Sequence, residues 1–319
     1  MLSQQATLDG GKVAFAGTRD TGGKRIYALP HLAVLSVAGS DAAKFLQGQV
    51  TCNVHDITDT KSSMAAICNP KGRAIATFLL AKQADTFLLV LPVELLETVK
   101  KKLQMYVLRA DVKITDSTDE LCLLGLFEPE PSIQPNAPEP PQNLISVNLP
   151  ISLERKLLIM TVDNAVQFWM EHVNHQGFRK ASSDEWRYLD ITSGMPWLTK
   201  ETTEEFVPQM LNLDKLGGIS FNKGCYTGQE IVARTHYLGK TKRQMVLAEF
   251  QISVLPESNS SIINWDSEGQ DVVGKVLQVI QNESGCTMQV VLQIADPAYD
   301  NLGLPDDNQV QLKLLPFTA

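Results

Sequence analysis

Six prolines fall within residues 128–143, at positions 129, 131, 135, 138, 140 and 141, and no apolar periodicity runs through them. Proline fixes φ and removes a backbone donor, so this stretch can be neither helix nor central strand and reads as a surface loop or linker. It divides the chain. Upstream, apolar strand-like runs at Ser63–Cys68 and Arg73–Ala81 flank Asn69-Pro70-Lys71-Gly72, which predicts a hairpin. Strands are also predicted near His31–Val37, Thr86–Leu91, Ala110–Thr115 and Glu120–Phe127. Ser40 is placed as the cap of a short helix over 41–48, and Pro92 as the first residue of a helix reaching Tyr106. Residues 1–27 read as a loose leader.

Downstream of the prolines comes a strand near Lys156–Thr161, then a helix over 163–175 and a second over 184–192. Ser182 and Glu185 form a capping box for the second helix, and Gly194 ends it. From Thr241 the pattern is almost all strand, at Met245–Ile252, Val272–Ile280, Thr287–Ile294 and Val310–Leu314, which predicts a small antiparallel barrel. The chain therefore reads as α+β in three units: residues 1–127, 128–240 intertwined with the first, and a C-terminal barrel over 241–319.

The 319 residues carry a net charge of −8, which argues against a globally basic nucleic-acid glove but leaves room for a local patch. There is no apolar run of transmembrane length and no signal-peptide pattern, so the expected location is the cytoplasm, with no membrane partner. Five cysteines, scattered and without a C-x-x-C pair, favour neither a disulfide framework nor a zinc site, and no metal centre is expected.

The chemistry concentrates in Lys223-Gly-Cys-Tyr-Thr-Gly-Gln-Glu230. Thr227 and Glu230 stand in capping-box relation, so Thr227 is placed as the N-cap of a helix and Cys225 just upstream of its positive end. With Lys223 beside it, Cys225 fits a thiolate nucleophile, and it fits equally a buried packing corner. Residues 223–243 carry five cations against one carboxylate, a charge balance suited to an anionic ligand tail or a phosphate backbone, or to a solvated face. Residues 184–205 carry six carboxylates against two cations around Trp186. A tryptophan among acids suits a flat amino-bearing heterocycle, while a lone tryptophan also commonly anchors a helix to the core. Gln47-Gly48-Gln49 either lines a cavity or caps a helix. No Walker, G-x-S-x-G or G-x-G-x-x-G motif is present.

The string Leu216-Gly-Gly-Ile-Ser-Phe-Asn-Lys-Gly-Cys-Tyr-Thr-Gly-Gln-Glu-Ile-Val-Ala-Arg234 closely resembles the signature of the YgfZ family, folate-binding relatives of the glycine-cleavage T-protein, an aminomethyltransferase. Phe45–Thr51 and Phe206–Asn212 resemble further blocks of that family, in the same order. The resemblance implies a T-protein-like three-domain ring with a ferredoxin-like unit and a C-terminal β-barrel. It implies tetrahydrofolate, or a one-carbon derivative, in a central cavity. It also implies support of iron–sulfur and tRNA-modifying enzymes, with a regulatory link to replication initiation. The folate contacts it implies fall on Trp186, Leu32, Gln47, Gln209, Tyr226, Gln229, Glu230 and Arg234, and the chemical pair on Cys225 and Lys223. Leu32 stands where the family has a second tryptophan. Aminomethyltransferase chemistry is not expected, because no carboxylate follows Gly72 and Pro208-Gln209 replaces Pro-x-Glu. Two other readings are a one-carbon transferase using Cys225 and a non-catalytic docking module. The partners expected are a folate and an iron–sulfur or tRNA-modifying enzyme. Direct tRNA contact is a weaker expectation, and the chain is expected to be a monomer.

Overall fold

The computed structural model describes residues 23–129, 144–149, 152–239, 241–251, 255–282, 285–295, 298–305 and 311–317. The proline-rich linker and most of the leader lie outside them.

Three sheets make up the molecule. The first has the order β3-β4-β5-β2-β6, built from β2 (Leu32–Ala38), β3 (Ser63–Cys68), β4 (Ala74–Gln83), β5 (Thr86–Pro92) and β6 (Lys113–Asp116), with every pair antiparallel. The β3–β4 turn forms as its residues predict. Asn69 Oδ1 accepts from the Lys71 and Arg73 N–H groups at 2.9 and 3.1 Å, and Gly72 takes φ +70°. Helices α1 (Ala42–Gln47) and α2 (Leu96–Val107) accompany this sheet. Ser40 does not cap α1. Its hydroxyl and N–H both bond Asp111 Oδ2, and Asp41 takes the N-cap position without a side-chain bond to the helix, its Oδ2 accepting instead from the Asp111 N–H at 2.9 Å. Pro92 ends β5, and a 3-10 turn over Val93–Leu95 precedes α2.

The second sheet has the order β10-β1-β7-β9-β8, from β1 (Arg25–Ala28), β7 (Leu121–Phe127), β8 (Ile145–Leu149), β9 (Ser152–Thr161) and β10 (Arg179–Ala181). β1 pairs parallel with β10 and antiparallel with β7, so the chain's first described strand sits inside the second sheet and the two units interleave. Helices α3 (Val162–Asn174) and α4 (Ser183–Ser193) belong here. The cap of α4 is the predicted one. Ser182 Oγ accepts from the Glu185 N–H at 3.1 Å, and Gly194 closes the helix at φ +89°. A glycine at position 125 lets Trp186 lie flush on β7, because a Cβ there would stand 2.5 Å from the indole ring.

The third sheet has the order β15-β12-β13-β14-β11-β16, from β11 (Arg243–Phe250), β12 (Ser261–Asn264), β13 (Asp271–Asn282), β14 (Gly285–Gln293), β15 (Leu302–Gly303) and β16 (Lys313–Leu315). All its pairs are antiparallel, and the Leu312 N–H donates to the Leu302 carbonyl at 2.8 Å, drawing the two edges together. This bond narrows the open edge, as a barrel requires. Its inner face buries Phe250, Ile262, Val276, Met288 and Val290. No helix among the described residues is long and apolar enough to cross a membrane.

Candidate functional site

The signature segment is held beside the first sheet by bonds to the main chain around Val50–Cys52. Lys223 Nζ donates to the carbonyls of Val50 and Cys52, both at 2.7 Å, and lies 5.1 Å from the Tyr226 ring centroid. Thr51 continues the seam. Its hydroxyl donates to Gly218 O at 2.6 Å and accepts from the Ala66 N–H at 2.8 Å. Tyr226 is buried, which pushes its phenol up, and its N–H donates to Gln229 Oε1 at 3.1 Å. Gly228 takes φ +84° and backs onto the β3–β4 turn so closely that a Cβ would stand 2.5 Å from Asn69 O and 2.9 Å from Gly72 Cα.

This contact decides the helix start. Helix α5 (Gln229–Tyr237) has Gly228 at its N-cap and no side-chain cap bond, so Thr227 is not the cap. Glu230 and Arg234 stand exposed on α5. Gln209, on a 3-10 turn (Pro208–Leu211), donates through Nε2 to Val232 O at 2.6 Å, while its buried Oε1 has no partner among the described residues.

Lys223 does not serve Cys225 as predicted, because its ammonium is committed to the carbonyls of Val50 and Cys52. The thiol that feels its charge is Cys52, which burial nonetheless pushes up to about 12. Cys68, also buried, is pushed up to about 12 as well. Cys225 is exposed, and Cys52, Cys68 and Cys286 are buried. The signature is thus an architectural knot that leaves one thiol at the surface.

Burial pulls the Lys223 amine down from 10.5 to about 8. Between these values the folded protein holds fewer protons at this site than the unfolded chain. Its contribution to stability therefore rises as pH increases from about 8 to 10.5. Urea midpoints measured across that window should rise less steeply in Lys223→Met. An unchanged slope in that variant would show that Lys223 does not titrate there.

A cavity of about 640 Å³ opens beside the knot. Cys52, Asp56, Met64, Leu79, Phe221 and His236 are among its lining residues. Phe221 and His236 stack at 3.7 Å with ring planes 12° apart, forming one wall, and Tyr237 meets His236 edge-on at 4.8 Å. Gln47 serves this site indirectly. Its Nε2 donates to Asn53 Oδ1 and its Oε1 accepts from the Val54 N–H, both at 2.8 Å, which sets Asn53 in the cavity lining. An aromatic wall facing carboxylate and amide groups suits a flat heterocycle bearing amino groups. Among the described residues no group of three or more His, Cys, Asp or Glu side chains could hold a metal ion.

Trp186 and Leu32 do not line this cavity. Trp186 is 1% exposed, with Tyr27 edge-on at 5.2 Å and the Arg155 guanidinium 5.0 Å from its ring centroid. It offers no open stacking face. Two of the acids beside it are also engaged. Glu185 bonds Arg25 and the Tyr27 hydroxyl, and Asp190 pairs with Arg155. Leu32 is core, at the start of β2 opposite Pro92. Phe221 and His236 lie on opposite sides of residues 223–230 and meet only when α5 folds back, so the sequence shows no more of this wall than an aromatic residue flanking each end of that segment.

No family model matches the chain. The tRNA-modifying protein YgfZ of Colwellia psychrerythraea is 33% identical over 301 residues, covering 91% of this chain and 92% of that protein. Its counterpart in Klebsiella pneumoniae is 28% identical over 303 residues, covering 92% of each. Among solved structures, the glycine cleavage system aminomethyltransferase T of Bartonella henselae matches with a TM-score of 0.71 at 12% identity, over 92% of this chain and 85% of that one. The three sheets therefore have the aminomethyltransferase T fold.

Proposed function

Because the chain belongs to the YgfZ family, we propose that it supports tRNA modification, and that it does so as a folate-binding accessory protein for iron–sulfur enzymes. The observation that carries the folate part is the 640 Å³ cavity with its Phe221–His236 wall. Its volume lies within the range usual for small-molecule sites. Phe221 and His236 would hold the pterin ring, and Asp56 and Asn53 would accept from its amino groups. Tetrahydrofolate or its one-carbon derivative brings a reduced pterin able to carry a one-carbon unit. Cys225 is exposed and outside the cavity lining, and on this reading it would meet a client protein rather than the bound folate.

Titration with tetrahydrofolate, followed by intrinsic fluorescence, tests the site. Removing one member of an aromatic stack costs about 1 kcal/mol, so Phe221→Ala should bind about 5-fold more weakly. Equal affinity in that variant would remove the cavity as the pterin site. Modified tRNA nucleosides, quantified in cells lacking the protein, test the larger role. Hypomodification restored by the wild-type chain supports it, and unaltered nucleosides overturn it.

A second reading, a non-catalytic docking module, draws on the structural employment of Lys223, Tyr226, Gly228 and Gln229. Cys225→Ala separates the two. Full restoration of tRNA modification by this variant assigns the segment to docking alone.

A further inference from the structure

The C-terminal end of α5 exposes apolar surface. Tyr237 is 63% exposed and Leu238 84%. Tyr237 meets His236 and Phe221 at interplanar angles of 79° and 73°, so neither is a parallel stacking partner, and it stands at the rim of the cavity that these two rings wall. Arg234, Tyr237 and Leu238 stand at i, i+3 and i+4 and share one helix face. Arg234, with Lys242 and Arg243 just beyond the helix, makes no ion pair among the described residues. Glu230, one turn before Arg234, is the only carboxylate in residues 223–243. This stretch is positive on a chain of net charge −8.

We propose that this face docks a single-stranded RNA segment, with a base stacked on Tyr237 and phosphates received by Arg234, Lys242 and Arg243. The inference rests on the tRNA-modification reading and supplies its contact surface. Cations alone would serve a poly-glutamate folate tail equally well. The exposed tyrosine, without a parallel stacking partner, and the exposed leucine beside it suit a base and are not needed by a carboxylate tail. The negative charge elsewhere disfavours nonspecific coating, which confines RNA to this end of the molecule.

Fluorescence anisotropy of a labelled 12-nucleotide oligoribonucleotide (~12 nucleotides covers one typical stacking groove) and of whole tRNA tests it on the full chain. Saturable binding is expected. Loss of one base–aromatic stack is worth ~1–3 kcal/mol, so Tyr237→Ala should weaken binding about 5- to 150-fold. Arg234→Gln should weaken it and lower the dependence of log affinity on log salt by about 0.7 for a single strand. Both side chains are exposed, so neither variant is expected to unfold. Absence of saturable binding, an unaltered affinity in Tyr237→Ala, or equal displacement of RNA by a pentaglutamate peptide (~5 charges, matched to the cations plus margin) would each overturn the proposal. A wild-type chain that restores tRNA modification yet binds no RNA overturns this inference alone. If tRNA modification does not depend on the chain at all, the reading beneath it falls.

Discussion

Asp190→Ala is expected to destabilise the protein by about 3–5 kcal/mol, because it leaves a buried guanidinium without its counter-charge. Arg155 and Asp190 each have side chains only 2% exposed, and Arg155 Nη1 donates to Asp190 Oδ1 at 2.7 Å. The remaining valences are filled. Asp190 Oδ2 accepts from Trp197 Nε1 at 2.9 Å, and Arg155 Nη2 donates to Ser193 Oγ at 2.6 Å. Gln289, from barrel strand β14, donates to the carbonyls of Ile191 and Met195 at 3.0 and 3.1 Å. One network thus joins β9, α4 and the barrel. Urea unfolding measures the loss, and a shift below about 1 kcal/mol would show that the pair contributes little. The double variant Asp190→Leu with Arg155→Met, which removes both charges and fills the space, should recover most of the stability.

Gly228→Ala carries the second large effect, and it reaches the functional surface. The new Cβ would meet backbone atoms at 2.5 and 2.9 Å, and those atoms belong to a hydrogen-bonded turn that cannot yield as a side-chain tip would. Left-handed strain of about 1–2 kcal/mol adds to overpacking of about 1–3 kcal/mol. We expect a loss of about 2–5 kcal/mol, with α5 displaced from the β3–β4 turn and faster proteolysis between residues 220 and 229. Gly217→Ala is the internal control. Gly217 also has positive φ, +70°, but nothing lies within 4 Å of its Cβ position. It should show the strain cost alone. Equal effects at the two positions would refute the close-approach argument.

The two capping boxes show where local pattern suffices. Ser182 and Glu185 share their spacing with Thr227 and Glu230. In the first pair Ser182 caps its helix through the Glu185 N–H, while the Glu185 carboxylate turns instead to Arg25 and Tyr27. In the second pair Thr227 does not cap, because the Asn69–Gly72 turn presses on residue 228 and only glycine's left-handed conformation fits. Lys223 and Cys225 follow the same logic. Two residues apart in sequence, they face different surroundings, since the carbonyls of Val50 and Cys52 capture the ammonium and the thiol is left outside. The acidic segment around Trp186 looked like a recognition site because its cationic partners, Arg25 and Arg155, are remote in sequence.

The sequence alone determined the hairpin at Asn69–Gly72, the cap and end of α4, the all-strand C-terminal unit and the family. Each rests on local residue chemistry or on a contiguous motif. Which side chains are free to act was decided by tertiary structure alone. Charge, burial and ring faces are set by partners dozens to hundreds of residues away, and those partners turned Trp186 into core, Lys223 into a tether and Phe221 with His236 into a cavity wall.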